Sequence, residues 1–128
     1  MYKLEIKRFF DAAHRLNDGP DLVTKACARL HGHSYLCAVT FQSNKVDRNG
    51  MVVDFKAIKN IIDIFDHQFV NDIFLQNNVI DEPTAENIAK FIWNKISLQY
   101  PDLENLKVSI CEGYKGPDNS SWASYEVI

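Results

Sequence analysis

Apolar and polar residues alternate in two stretches of the first third of the chain. Residues 2–10 place apolar side chains on one face and mostly charged ones on the other, which is the period of a half-buried β-strand. Residues 33–43 alternate in the same way. The intervening residues 17–25 carry Asn, Asp, Gly and Pro, a composition that favours a loop. We therefore predict two strands that pair antiparallel.

Two helices are predicted in the middle of the chain. The first begins after Asp54, a good N-cap, and its last turn delivers Asp66 and His67. The second begins after Thr84 and ends at Tyr100, which a proline follows. Each has apolar residues at helical spacing, so each should bury one face. These residues are Phe55, Ile58, Ile61, Ile62 and Phe65 in the first helix and Ile88, Phe91, Ile92 and Ile96 in the second.

Residues 107–114 and 121–128 read as two closing strands joined by a loop. The order β-β-α-α-β-β favours an α+β fold, in which a four-stranded antiparallel sheet carries both helices on one face. We expect residues 1–128 to form a single domain. The opposite face and the sheet edges would remain uncovered, so we also expect the chain to form oligomers with copies of itself.

The composition is that of an ordinary globular protein and excludes several functions. The chain has 128 residues, 46% hydrophobic and 24% charged, with a formal net charge of −3. This charge gives no reason to expect a nucleic-acid or acidic-membrane surface. No stretch approaches the roughly 18 apolar residues of a membrane span, and the start does not resemble a signal peptide. We therefore predict a cytoplasmic protein with neither a nucleic-acid nor a membrane partner.

The three cysteines differ in their surroundings. An odd number without an export signal makes a disulfide framework improbable. Cys37 and Cys111 lie in predicted strands, where a small buried residue is the usual role. Cys27 instead lies among charged and turn-forming residues, four positions before a histidine. A thiolate could be stabilised there, so Cys27 is the candidate for chemistry.

Three of the four histidines are candidate metal ligands. His31 and His33 lie two apart, so in a strand both imidazoles point to one face. His14 ends the strand that should pair with theirs, which makes it a sensible third ligand. Three imidazoles with an open position are the arrangement of a catalytic zinc. Spacing alone gives equal weight to a surface turn at His31 and His33 with a packing histidine at position 14.

Asp66, His67 and Glu112 are further candidates. Asp66 stands beside His67 at a helix end, where a carboxylate and an imidazole could form a proton relay with a thiol. Helix-end charges solvated by water explain the pair equally well. Glu112 shares strand parity with apolar residues, where an unpaired charge is costly. A ligand with several donor nitrogens would satisfy it, and so would a nearby Lys or Arg.

Six motifs in order make the chain resemble the family of 6-pyruvoyl-tetrahydropterin synthase and 6-carboxy-tetrahydropterin synthase (QueD). The resemblance implies the tunnelling fold (T-fold), in which the β-β-α-α-β-β unit assembles into trimeric barrels that stack as hexamers. It runs nearly from end to end of the chain. The motifs are FFDAAHRL, CARLHGHSY, GMVVDF, FDHQFVND, EPTAENIAKFIW and the strand that ends in Glu112.

The resemblance also implies roles for individual residues. His14, His31 and His33 would hold Zn²⁺. Cys27 would be the proton-transferring thiol, with Asp66 and His67 completing its relay. The substrate-binding residues would be Glu112, which anchors the pterin ring, together with Thr84 and Glu86. Thr84 is explained equally well as a helix cap. Relatives usually have Thr after this Glu, whereas here Gly113 and Tyr114 follow.

The spacing of one motif favours one branch of the family. Three residues separate Cys27 from His31, as in the bacterial carboxy-tetrahydropterin synthases, whereas the pyruvoyl-forming enzymes resemble one another in a longer gap. The implied function is conversion of 7,8-dihydroneopterin triphosphate to 6-carboxytetrahydropterin, acetaldehyde and triphosphate for queuosine synthesis. The alternatives are a pyruvoyl-forming synthase, a dihydroneopterin side-chain lyase and a non-catalytic zinc- or pterin-binding barrel.

Overall fold

Two long paired strands form the centre of the molecule. The computed structural model describes residues 1–17 and 27–128, so the predicted loop at 17–25 lies outside the described residues except at its first position. Strand β1 spans Tyr2–His14 and β2 spans His31–Ser43, antiparallel and in continuous register. Both extend beyond the predicted bounds. The sequence signal weakens there because Asp, Ala and Gly have low strand propensity, and pairing with the partner strand overrides it.

The sheet has five strands in the order β3-β1-β2-β4-β5. Strands β4 (Glu104–Glu112) and β5 (Trp122–Glu126) are antiparallel neighbours, displaced by a few residues from the predicted 107–114 and 121–128. Strand β3 has only two residues, Gln68–Phe69, and pairs parallel to β1. The predicted α+β fold is confirmed. The predicted number of four strands was wrong, because the sheet also includes β3, which is too short to show an alternating pattern in the sequence.

The described part of the chain has three α-helices: α1 (Phe55–Ile62), α2 (Val70–Gln76) and α3 (Ala85–Gln99). A 3₁₀ turn at Asp63–Phe65 follows α1. Helix α2 was missed, because seven residues show too little periodicity to stand out from a linker. None of the described helices combines the length and the hydropathy that a membrane crossing needs.

Both predicted helix caps are confirmed. Asp54 accepts a hydrogen bond from the backbone N–H of Lys56 at 2.9 Å, and Thr84 accepts one from Asn87 at 3.3 Å. The predicted apolar stripe of the first helix, which continues into the 3₁₀ turn at Phe65, is buried except for Phe55, which is 54% exposed. That assignment was wrong, because the first residue of a helix has no preceding turn to pack its side chain over.

The core lies between the sheet and the helices. Phe10 of β1 stacks on Tyr35 of β2 with ring centroids 4.8 Å apart, and Phe65 contacts Phe10 from the 3₁₀ turn. The alternate residues of the strands point to the other face, where Phe9 and Trp122 are exposed. Residues of β1 that lie an even number of positions from Phe10 share its face of the sheet, so His14 at the end of β1 also points to the core side.

A bidentate ion pair ties β1 to the end of α1. Arg8 donates from Nε and Nη2 to the two carboxylate oxygens of Asp63, at 2.9 and 2.8 Å. These hydrogen bonds and the charge of Asp63 raise the pKa of Arg8 above its ordinary value. The planar fork of the guanidinium fixes direction as well as distance, so the segment that carries Asp66 and His67 leaves α1 from a defined point.

Helix α3 offers a matched test of this packing. Ile92 is fully buried and Leu98, on the same helix, is 84% exposed. Ile92→Ala should lower the free energy of unfolding by about 2–5 kcal/mol, because it removes buried methylenes and leaves a cavity. Leu98→Ala should change it by no more than about 0.5 kcal/mol. Denaturant unfolding measures both, and equal losses would contradict the packing described.

Candidate metal centre and active site

Three imidazoles converge at the end of the β1–β2 pair. His14 is the last residue of β1 and faces His31, the first residue of β2, directly across the ladder. His33 lies two residues further along β2 and points to the same face. The Nε2 atoms of His14 and His31 are 2.9 Å apart, and one ligand atom from each of the three histidines lies within 4.8 Å of the others. The predicted convergence of the three side chains is confirmed.

Backbone carbonyls fix the orientation of two of these rings. His14 Nδ1 lies 2.7 Å from the carbonyl oxygen of Pro83, and His31 Nδ1 lies 2.6 Å from that of Arg29. A carbonyl only accepts, so each Nδ1 must carry the hydrogen. Carbonyls bound in this way are typical partners of metal-ligating histidines.

The Nε2 atoms that face each other therefore carry lone pairs in the neutral rings. Two lone pairs at 2.9 Å repel unless a cation lies between them. A proton can serve, and so can a metal ion with space for a third nitrogen from His33. The donor set of three imidazoles fits zinc with an open coordination position.

Burial favours the neutral form of the His33 imidazole. Loss of solvent lowers the pKa of His33, and the neighbouring His14 and His31 lower it further, whereas Glu112 opposes them. A neutral imidazole is the form that binds metal. Tyr35, fully buried below the cluster, has its hydroxyl 3.4 Å from His14 Nδ1, and burial raises the pKa of that hydroxyl so that it remains protonated.

Glu112 is the acidic group nearest to the imidazoles in the described part of the chain. Its carboxylate oxygens lie 3.9 Å from Nε2 of His14 and 3.9 Å from Nε2 of His33. It points to the helix side of the sheet, as its strand parity predicts. It also lines a concavity of about 500 Å³ between the start of α3 and β5, together with Glu86 and Trp122. Glu112 thus borders both the candidate metal ligands and an open space.

Thr84 and Glu86 lie at the start of α3. Thr84 uses its hydroxyl as the helix cap, as one of the two interpretations of this residue predicted. Glu86 is in the first helical turn and is exposed. Of the two, Glu86 lines the concavity that Glu112 borders.

The three cysteines divide as predicted. Cys37 and Cys111 are fully buried, and burial raises the pKa of the Cys37 thiol. Cys27 is half-buried, and its carbonyl oxygen accepts a hydrogen bond from the backbone N–H of Leu16 at 2.9 Å. Cys27 is therefore the most accessible of the three thiols.

Backbone groups of Asp11 hold Asp66 and His67. The N–H of Asp11 donates to Asp66 Oδ1 at 3.0 Å, and its carbonyl accepts from the N–H of His67 at 2.7 Å. His67 has a left-handed backbone with φ 57°, and its side chain is 80% exposed. It lines a shallow concavity with His33 and Ser34.

The predicted relay is brought together only in part. Asp66 Oδ2 lies 3.7 Å from His67 Nε2, so the carboxylate and imidazole are neighbours. Among the hydrogen bonds and ion pairs of residues 1–17 and 27–128, none joins Cys27 to either of them.

Sequence reasoning missed Asp11 and the carbonyls of Arg29 and Pro83. Backbone carbonyls leave no mark in a sequence, and Asp11 reads only as an outward-facing strand residue.

A sheet with its helices on one face and a histidine cluster at one strand end defines a T-fold protein with a candidate metal site. A family model described as 6-pyruvoyl tetrahydropterin synthase matches residues 3–126, and the chain belongs to this family.

Named relatives agree with this family. A 6-carboxy-5,6,7,8-tetrahydropterin synthase of Bacillus subtilis (strain 168) is 31% identical over 109 residues, which cover 81% of this chain and 73% of the relative. One of Rickettsia felis is 32% identical over 135 residues, with 85% and 90% covered. The structure of Caenorhabditis elegans 6-pyruvoyl tetrahydropterin synthase is 25% identical, with a TM-score of 0.70 and 99% and 96% covered.

Removal of one imidazole tests the metal centre. His33→Ala should abolish stoichiometric metal binding, because two ligands are too few to retain the ion. His67→Ala should leave the metal content unchanged, since this exposed histidine lies outside the cluster of ligand atoms. Elemental analysis of the purified variants is the measurement. Undiminished metal in His33→Ala would rule out this centre.

Proposed function

We propose that the protein is a zinc-dependent 6-carboxy-5,6,7,8-tetrahydropterin synthase. It would convert 7,8-dihydroneopterin triphosphate and one water molecule to 6-carboxytetrahydropterin, acetaldehyde and triphosphate. The observation that carries the proposal is the cluster of His14, His31 and His33, in which one ligand atom of each imidazole lies within 4.8 Å of the others, next to an open concavity. The three-residue spacing between Cys27 and His31 and the names of the relatives favour the carboxy product.

Recognition of the pterin ring would fall to the carboxylates of the concavity. A pterin presents a row of N–H donors along one edge, which a carboxylate accepts in a bidentate manner. Glu112 and Glu86 both line this space. Glu112 is close enough to His14 and His33 to contact a substrate that reaches the metal. Thr84 completes the binding set through its position at the start of α3.

Proton transfer at the substrate side chain would fall to Cys27. Zinc, when bound, would act as a Lewis acid on the side-chain hydroxyls, which makes the adjoining carbons easier to deprotonate. The Cys27 thiolate would then accept or return a proton at those carbons. His67 would act as its partner acid, and Asp66 would hold the imidazole in one tautomer. Asp66 Oδ2 lies 3.7 Å from His67 Nε2, so a small rotation of the imidazole would bring the two atoms within hydrogen-bond distance.

A hexamer built from two trimers would complete the site between subunits. Within one chain no hydrogen bond joins Cys27 to His67 among the described residues, and His67 is largely exposed. The face of the sheet away from the helices also exposes Phe9 and Trp122, and β5 has a free edge. Symmetric neighbours would cover these surfaces and bring a second chain to the concavity beside His67.

Product analysis is the direct test of the reaction. The zinc-loaded protein should release acetaldehyde and 6-carboxytetrahydropterin from 7,8-dihydroneopterin triphosphate. Formation of 6-pyruvoyl-tetrahydropterin with no acetaldehyde would assign the chain to the pyruvoyl branch. Tight binding without turnover would identify a pterin-binding barrel and overturn the proposal.

Replacement of Cys27 separates its role from that of the metal ligands. Cys27→Ala should retain metal and fold while turnover falls by about 10²- to 10⁴-fold, as expected for lost acid–base catalysis. Cys111→Ala, the matched control in the buried part of β4, should retain turnover per folded molecule. Alkylation at neutral pH should also modify Cys27 before Cys37 and Cys111, and substrate should protect it. Full turnover by Cys27→Ala would remove the thiol from the mechanism.

A further inference from the structure

Three consecutive residues after His14 are each held by a different part of the chain. Strand β1 ends at His14, so the backbone groups of the next residues have no partner strand. Arg15 is bound by Asn71, Leu16 donates its N–H to the carbonyl of Cys27 at 2.9 Å, and Asn17 donates its N–H to Glu82 Oε2 at 3.1 Å. The chain immediately beyond the metal ligand is therefore fixed by hydrogen bonds at every residue.

The side chain of Asn71 takes the place of a strand partner for Arg15. Its Oδ1 accepts from the N–H of Arg15 at 3.0 Å, and its Nδ2 donates to the carbonyl of Arg15 at 2.9 Å. A primary amide is the neutral side chain that offers an acceptor and a donor side by side, matched to one residue's backbone pair. Asn71 lies in the first turn of α2, so it ties this helix to the end of β1.

The two hydrogen bonds between the Asn71 side chain and the Arg15 backbone form a clamp. The next residue, Leu16, makes the only backbone hydrogen bond to Cys27 from residues 15–17 among the described residues. Leu16 can hold the Cys27 carbonyl only while its own N–H keeps its direction, and the fixed peptide groups of Arg15 and Asn17 set that direction. His14 has an independent support, because its Nδ1 donates to the Pro83 carbonyl at 2.7 Å. The loss of the clamp should thus affect the thiol more than the metal.

We infer that Asn71 is a positioning residue for the Cys27 thiol. This inference rests on the proposed function, in which Cys27 transfers the proton. Misplacement of a reacting group by about 1 Å can lower a rate 10²-fold. Asn71→Ala in the zinc-loaded enzyme should therefore lower kcat about 10- to 100-fold, while the metal content and KM stay close to those of the wild type.

Two readouts separate positioning from general damage. Exchange of the Leu16 amide hydrogen, followed by NMR or mass spectrometry, should accelerate at least about tenfold in Asn71→Ala, because its hydrogen bond to Cys27 is loosened. In a Cys27→Ala background, Asn71→Ala should change the residual rate by no more than about twofold, since a residue that acts through the thiol has nothing left to position.

Two further variants serve as controls. Asn71→Asp keeps the acceptor for the Arg15 N–H but loses the donor to its carbonyl, so its kcat and Leu16 exchange should fall between those of the wild type and Asn71→Ala. This variant also keeps the test usable if Asn71→Ala does not fold. Asn60→Ala, at an exposed position of α1, should leave kcat, metal content and exchange unchanged.

The outcomes distinguish failure of the inference from failure of the proposed function. Unchanged Leu16 exchange and unchanged kcat in Asn71→Ala, in an enzyme that Cys27→Ala inactivates, would overturn the positioning role alone. Loss of metal from Asn71→Ala would overturn it too, because the clamp would then support His14. Full turnover by Cys27→Ala, with exchange still accelerated in Asn71→Ala, would instead overturn the role of the thiol in the proposed function.

Discussion

The site depends on the register between β1 and β2. His14 is paired directly with His31, and the register is continuous from Tyr2 opposite Ser43 to this pair. Successive strand residues point to opposite faces, so a shift of β2 by one residue would turn His31 and His33 away from His14. The same shift would expose the apolar side chains of β2 and bury its polar ones. The packing of the core therefore also fixes the geometry of the three candidate metal ligands.

Polar groups around the imidazoles convert this geometry into a site for a cation. The carbonyls of Arg29 and Pro83 hold the Nδ1 hydrogens of two rings, which leaves their Nε2 lone pairs directed at one point. The reduced solvation that lowers the pKa of His33 favours the neutral ligand form. Glu112 adds a negative charge at the edge of the cluster, where it offsets part of the charge of a bound divalent ion. Each of these features favours the binding of a metal ion by the three imidazoles.

Much of the fold could be predicted from the sequence because the relevant signals are local. Alternation revealed the strands, and Asp54 and Thr84 marked the two longer helices through their capping chemistry. The parity of His31 and His33 likewise predicted a shared face, which the structure confirms. The T-fold itself came from the resemblance to a known family, since the residue pattern only allowed it.

Features that arise from tertiary contacts had no such signal. Helix α2 and strand β3 are too short to show a period, and the left-handed backbone of His67 is stabilised by the carbonyl of Asp11, far away in sequence. The clamp of Asn71 on Arg15 joins residues 56 positions apart through a side chain. Nothing near either residue in the sequence indicates it. Such contacts are specified by how elements pack, and single-sequence patterns do not report them.

X-ray absorption spectroscopy of the zinc-loaded protein tests the three-histidine metal centre directly. We expect three nitrogen ligands at about 2.0–2.1 Å, with the remaining coordination by oxygen from solvent or substrate. No sulfur contribution is expected in the spectrum, because the proposed mechanism uses Cys27 for proton transfer and not as a ligand. A sulfur scatterer near about 2.3 Å, or a first shell with fewer than three nitrogens, would contradict this metal centre.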